Sequence, residues 1–278
     1  REILANGGKL DTISRESFIE LMEYQKEKFN LSYRCKEAMR EMIPLEKSII
    51  PTLNKHKHIT LITSFHYTEF EERQSELLEA IQNNIDNKHI DKVVIFLEVE
   101  KNKPSPLSFF GSSYLTGKIK SKEKVKIIET EQRISYKMAI EYAAQGQEED
   151  SVYLLSNSDC YFEKSVNLLK KIDFKGGNRV LTFTRKDRLK DGSIIDARKV
   201  MPIFDEGPGN SLVNYQPEGS KVYEGSTLMP VYSADAWAFT KGLCKAKANI
   251  DIELGRLACD QNFLSRIYED GYDLKNVG

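Results

Sequence analysis

From residue 59 onward, short β-branched apolar runs alternate with stretches of helical periodicity, and this alternation constrains the fold more than any other feature. Residues 59–63, 93–97, 125–128, 152–155 and 180–183 are rich in Ile, Val and Leu and too short for buried helices, as strands covered on both faces would be. Between them, Leu77, Leu78, Ile81 and Ile85 recur at helical steps, with Glu72, Arg73 and Glu76 outside. Ile134, Met138 and Tyr142 follow at steps of four, and Val166, Leu168 and Leu169 mark another helix. Such alternation predicts an α/β fold: a mostly parallel Rossmann-type sheet with helices on both faces. Residues 236–239 read as one more strand, and residues 260–269 as a last helix closed by Gly271.

The flanks differ. Residues 1–55 read as an accessory helical segment or linker: Ser14 or Asp11 would cap a helix carrying Phe18, Met22 and Phe29, Pro44 ends it, and Pro51 opens a connector. Residues 56–278 form the main domain. Within it, the stretch 186–230 holds five of the 16 glycines and four prolines with little periodicity, so it reads as a lid or binding loop.

Composition excludes more than it suggests. With 41 basic and 42 acidic side chains, the net charge of −1 argues against a nucleic-acid partner. No apolar run reaches the roughly 18–20 residues of a membrane span, and no apolar stretch follows Arg1 as a signal peptide requires. A soluble, cytoplasmic protein is the expectation. Cys35, Cys160, Cys244 and Cys259 lack any C-x-x-C spacing, which disfavours zinc and a disulfide framework. His56 and His58 read as a solvated loop before a strand more readily than as a metal pinch.

Ligands of open parallel sheets bind beyond the carboxyl ends of the strands. That rule selects Thr63, Ser64 and His66; Glu98 and Glu100; Glu129, Glu131 and Arg133; Asn157 and Asp159; and Thr184, Arg185 and Asp187. Asp159 is the most pointed of these. A carboxylate delivered onto a strand tip can hold Mg²⁺ or Mn²⁺, with a diphosphate and water supplying the other oxygens. Equally, Asn157 and Asp159 could form an Asx turn and cap a helix starting near Glu163. Asp260, opening the last helix, is either a cap or a general base. Cys259 and Trp237 read as core.

Several of these residues stand in segments that resemble glycosyltransferases of the GT-A fold. Leu154-Leu155-Ser156-Asn157-Ser158-Asp159-Cys160-Tyr161-Phe162 resembles their metal-binding segment, whose usual form is Asp-x-Asp and whose relatives carry Asn-x-Asp before an aromatic pair. Ser233-Ala234-Asp235-Ala236-Trp237-Ala238-Phe239 is similar to an S-x-D-x-W-x-F strand. Gly255 through Cys259-Asp260-Gln261-Asn262-Phe263, with Gly271-Tyr272, is similar to their acidic helix. The stretch from Ile59 to Ile85 resembles their first βα unit, so the likeness covers roughly residues 58–278 in four ordered segments. It implies a GT-A-like domain that moves a sugar from a nucleotide-diphosphate donor to a glycan or other hydroxyl acceptor, with inversion and a divalent metal, Mn²⁺ or Mg²⁺. Asp159 would bind metal and donor, Asp260 would be the acceptor base, and Thr63, Ser64, Arg133, Asn157 and Asp235 would line the donor pocket. UDP is the default nucleotide. Asn157 departs from the usual first carboxylate, which predicts weaker metal binding. The family's further ligand, often a histidine, falls C-terminal to the final helix, so the chain is expected to be part of a longer protein.

Three other readings compete. A sugar nucleotidyltransferase would carry a Gly-rich loop after the first strand, and a dinucleotide enzyme a G-x-G turn; Ser64-Phe65-His66-Tyr67 has no glycine. A non-catalytic domain that keeps the fold is left open by Asn157.

Overall fold

Each of the five apolar runs is a strand, and most extend beyond their apolar centres. A computed structural model describes residues 42–43, 56–99, 111–146, 150–183, 186–188, 192–196, 235–256 and 259–277. The strands are β2 (His58–His66), β3 (Lys92–Glu98), β4 (Val125–Thr130), β5 (Ser151–Ser156) and β6 (Arg179–Phe183). Together with β9 (Ala236–Phe239), β10 (Asp273–Val277) and the two-residue β1 (Met42–Ile43), they form one eight-stranded sheet in the order β1-β10-β6-β9-β5-β2-β3-β4. Only β9 is antiparallel to its neighbours, β5 and β6. From β4 inward, the order is that of a doubly wound sheet, with its reversal between β2 and β5. This is the GT-A-like, Rossmann-type arrangement that the resemblance implies.

Strand periodicity explains why continuous apolar runs are needed. Successive residues point to opposite faces, so Val93, Ile95 and Leu97 pack on one side of the sheet and Val94 and Phe96 on the other. One face is covered by α1 (Glu71–Asp86) through Leu77, Ile81 and Ile85, and by the 3₁₀ turns Lys164–Lys171 through Val166 and Leu169. The other is covered by α3 (Tyr136–Gln145) and α4 (Cys259–Glu269). A short helix, α2 (Gly111–Lys118), was not legible as such in the sequence.

The helix after β4 corrects the expected stripe. Ser135 caps α3, its hydroxyl accepting from the Met138 amide at 3.3 Å, so the helix starts at Tyr136, two residues after Ile134 has already been buried in a loop. Its buried face is Tyr136, Ala139, Ile140 and Ala143, while Met138 and Tyr142 lie at the margin. Small alanines let this helix approach the sheet closely, and apolar periodicity alone ranks them too low. Gly271 closes α4 as expected, with φ of 85°.

Of the N-terminal segment, only Met42–Ile43 is described; expected at the end of a helix, it is instead extended and pairs with β10, and the rest of the expected helix lies outside the described residues. In the loop-rich stretch, β7 (Lys186–Arg188) and β8 (Ile194–Asp196) form a hairpin, and residues 197–234 lie outside the described residues. Among the described residues, no helix is long and apolar enough to cross a membrane.

Candidate functional site

The carboxyl ends of the parallel strands share one edge, and antiparallel β9 begins at that edge. Ala236 therefore pairs with Ser156 and Phe183, the last residues of β5 and β6, and the preceding Asp235 lands beside Asn157. The Asn157 amide donates to the Asp235 carbonyl at 3.1 Å, and Asn157 Nδ2 donates to Asp235 Oδ1 at 3.0 Å. Asn157 thus clamps the Asp235 carboxylate. Its Oδ1 and the Ser156 hydroxyl are buried with no hydrogen-bond partner, a costly state away from water.

Asp159 does not cap the turns that follow. The 3₁₀ segment Lys164–Lys171 starts after Glu163 with no side-chain cap. Instead, Asp159 Oδ2 lies 2.8 Å from a guanidinium nitrogen of Arg73, in the first turn of α1. Arg73 also reaches Glu76 at 2.7 Å. Burial works against the Arg73 charge, but hydrogen bonds to Asp159 and Glu76 raise its pKa. The loop carrying Asp159 is fastened to α1 from below. Fully buried Asn84 donates to the Cys160 carbonyl at 2.9 Å and accepts from the Phe162 amide at 3.1 Å, and Asn87 donates to the Phe162 carbonyl at 2.8 Å.

Other sequence candidates fall differently. β2 runs on to His66, so Thr63 and Ser64 lie inside the strand; both are buried, and the Thr63 hydroxyl donates to the Ser156 carbonyl at 3.2 Å. Thr63 thus braces the tip of β5. Arg133 lies 3.7 Å from Glu98 and 3.5 Å from the Gly255 carbonyl, tying the end of β3 to the approach to α4. Glu129 caps α2, accepting from the Ser112 amide at 2.7 Å, and that bond lowers its pKa. Asp260 is in the first turn of α4, at the positive end of the helix dipole. Trp237 is fully buried, hence core. His58 opens β2, while Thr184, Arg185 and the Asp187 side chain lie outside the described residues.

Two residues join the site that sequence reasoning left out. Arg73 was assigned to the outer face of its helix, although the first turn after strand one also falls at the ligand-binding edge. Tyr136 is the other. Its ring is fully buried, stacked on Phe263 at 4.0 Å and edge-on to Trp237 at 4.9 Å, and its hydroxyl donates to Cys259 Sγ at 3.7 Å. Burial pushes the phenol pKa well up, and Cys259, Asp260 and Asp235 add to the rise. Tyr136 therefore wedges β9, which follows Asp235, against α4, which carries Asp260. Its signal in the sequence was only an aromatic after a capping serine.

No protein-family model and no curated protein matches the chain. Solved structures do show likeness. The 4-diphosphocytidyl-2C-methyl-D-erythritol synthase of Anaerococcus prevotii aligns over 80% of this chain and 86% of its own, at 15% identity and a TM-score of 0.44. The mannosyltransferase PcManGT of Pyrobaculum calidifontis, in complex with GDP-Man and Mn²⁺, aligns over 92% of this chain and 64% of its own, at 12% identity and 0.44. S. aureus TarS aligns over 80% of this chain and 35% of its own, at 15% identity and 0.42. The chain thus spans well under two thirds of TarS and just under two thirds of the mannosyltransferase. Sheet order and the contacts above, rather than these alignments, define the site.

Among the described residues, no three His, Cys, Asp or Glu side chains gather into a protein-built cage. Asp159, with the unpartnered Asn157 Oδ1 nearby in sequence, offers the few hard oxygens that Mg²⁺ or Mn²⁺ takes when a diphosphate supplies the rest.

Proposed function

We propose that the chain is a glycosyltransferase, moving a sugar from a nucleotide-diphosphate donor (a UDP-sugar by default) to a hydroxyl of a glycan or similar acceptor, with inversion. One observation carries this reading: Asp159 and Arg73 meet across the β2–β5 reversal, the crevice in which open α/β sheets bind nucleotides, with the Asn157–Asp235 clamp beside them. Asp159, with Asn157 Oδ1, would hold Mn²⁺ or Mg²⁺, whose chemistry is to neutralise the charge of the leaving diphosphate. Asp235, fixed by Asn157, would orient the donor sugar. Asp260 would take the proton of the attacking hydroxyl, help of a kind worth about 10²–10⁴ in rate. Tyr136 packs between the elements that carry these two carboxylates and so would set their separation. Arg133 would steady the loop leading into α4.

A thermal-shift screen of nucleotide sugars with and without Mn²⁺ tests the reading. One nucleotide-diphospho-sugar should raise Tm, more so with Mn²⁺, and Asp260→Asn should keep that shift while losing turnover. If no donor shifts Tm and none is consumed, the chain is a non-catalytic domain of this fold. If a sugar 1-phosphate and a nucleoside triphosphate are joined instead, it is a nucleotidyltransferase.

A further inference from the structure

Asp159, Asp235 and Glu76 bring three carboxylates to the crevice between β2 and β5, with Arg73 joined to two of them. A diphosphate arriving there meets these carboxylates, and among the described residues this guanidinium is a cation held against two of them. Its position is set by the backbone. α1 starts at Glu71, soon after β2 ends, and Asn84 and Asn87 fasten the body of the helix to residues 160–163. The Arg73 side chain extends from this anchored helix. That side chain is 39% exposed and Asp159 is 33% exposed, so the pair is open to solvent and contributes little to stability. Its nitrogens Nη1 and Nη2 each serve one carboxylate, and a guanidinium has five N–H groups in a flat fork that matches two phosphate oxygens at once.

We infer that Arg73 is a binding residue for the diphosphate of the donor, exchanging the Asp159 carboxylate for phosphate oxygens when the nucleotide enters. The inference rests on the donor reading of the same crevice. In the unliganded protein, the ion pair keeps both groups in place and balances one charge of the acidic tip. When the nucleotide is bound, the guanidinium faces the phosphates and the carboxylate is free for a cation.

Calorimetric titration of UDP, GDP and CDP, and of the matching monophosphates, into the wild type, Arg73→Gln and Arg73→Lys, with and without Mn²⁺, tests it. Arg73→Gln should weaken the preferred diphosphate by about tenfold or more and the monophosphate distinctly less. Arg73→Lys should recover part of the loss, since charge returns without the fork. Diphosphate affinity unchanged in Arg73→Gln overturns the inference and leaves the donor reading standing. Equal losses for mono- and diphosphate also overturn it, because they mark a merely structural role. A wild type that binds none of these nucleotides removes the donor reading and the inference together.

Discussion

Two aspartate–arginine pairs sit at opposite edges of the sheet, and they are built for different ends. Asp273 and Arg179 are the first residues of β10 and β6 and face each other in register. Asp273 Oδ2 takes two guanidinium nitrogens at 2.9 Å and the Lys175 ammonium at 2.7 Å, while the third nitrogen of Arg179 donates to the Asp173 carbonyl at 2.9 Å. Both side chains are about four-fifths buried, with exposures of 21% and 17%. Each nitrogen of that fork has an acceptor in the fold. At the other edge, Arg73 makes one contact to Asp159, both are more exposed, and unpartnered polar atoms lie next to them. A saturated pair locks strands together, whereas an unsaturated one at the carboxyl ends of the strands keeps capacity for a ligand.

The largest expected effect is at the open pair. Asp159→Ala should reduce sugar transfer by at least about 10², as loss of the residue that would hold the charge-neutralising cation requires, yet shift stability by no more than about 1 kcal/mol. Transfer at the normal rate would break the contrast. At the closed pair the signs reverse: Arg179→Ala should lower unfolding free energy by about 1–3 kcal/mol in urea titrations and leave nucleotide affinity unchanged. A smaller loss, about 0.5–1.5 kcal/mol, is expected for Tyr136→Phe, which keeps the ring stack and removes the bond to Cys259. If Tyr136 also sets the two carboxylates, kcat will fall while KM for the donor holds.

The smallest effect is in pH dependence. Burial acts to raise the Asp273 pKa, but Lys175 and Arg179 overcome it and hold the carboxyl below its ordinary value. A carboxyl lowered in the folded state stabilises fully above its unfolded pKa of about 3.9, and that contribution is lost as pH falls through the folded value. Urea midpoints measured between about pH 5 and pH 2 should therefore drop less steeply in Asp273→Asn than in the wild type. An equal slope would show that the closed pair carries no proton linkage.

Much of the fold was legible because it follows from local pattern. Five apolar runs became five strands, since a chain that buries both faces of a sheet must carry apolar residues at consecutive positions. Gly271 ended its helix because its backbone sits at positive φ, where a side chain is disfavoured. Asp159 could be picked out from the strand before it, Asp235 only from a family resemblance. The sequence also ordered those strands along the chain, and so determined the class of fold.

What it could not decide was which residues meet. Arg73 and Asp159 are 86 positions apart, and Asn157 and Asp235 are 78 apart. Their encounters depend on β2 and β5 lying side by side and on β9 entering antiparallel between β5 and β6. Thr63 and Ser64 show the same limit from the other side: one further turn of the pleat in β2 moved them from the edge into the sheet. Side-chain partners across a sheet are fixed by strand order, direction and register, which are long-range properties set by the packing of the whole domain. Residue type and spacing name the candidates; only the tertiary structure assigns each one a partner.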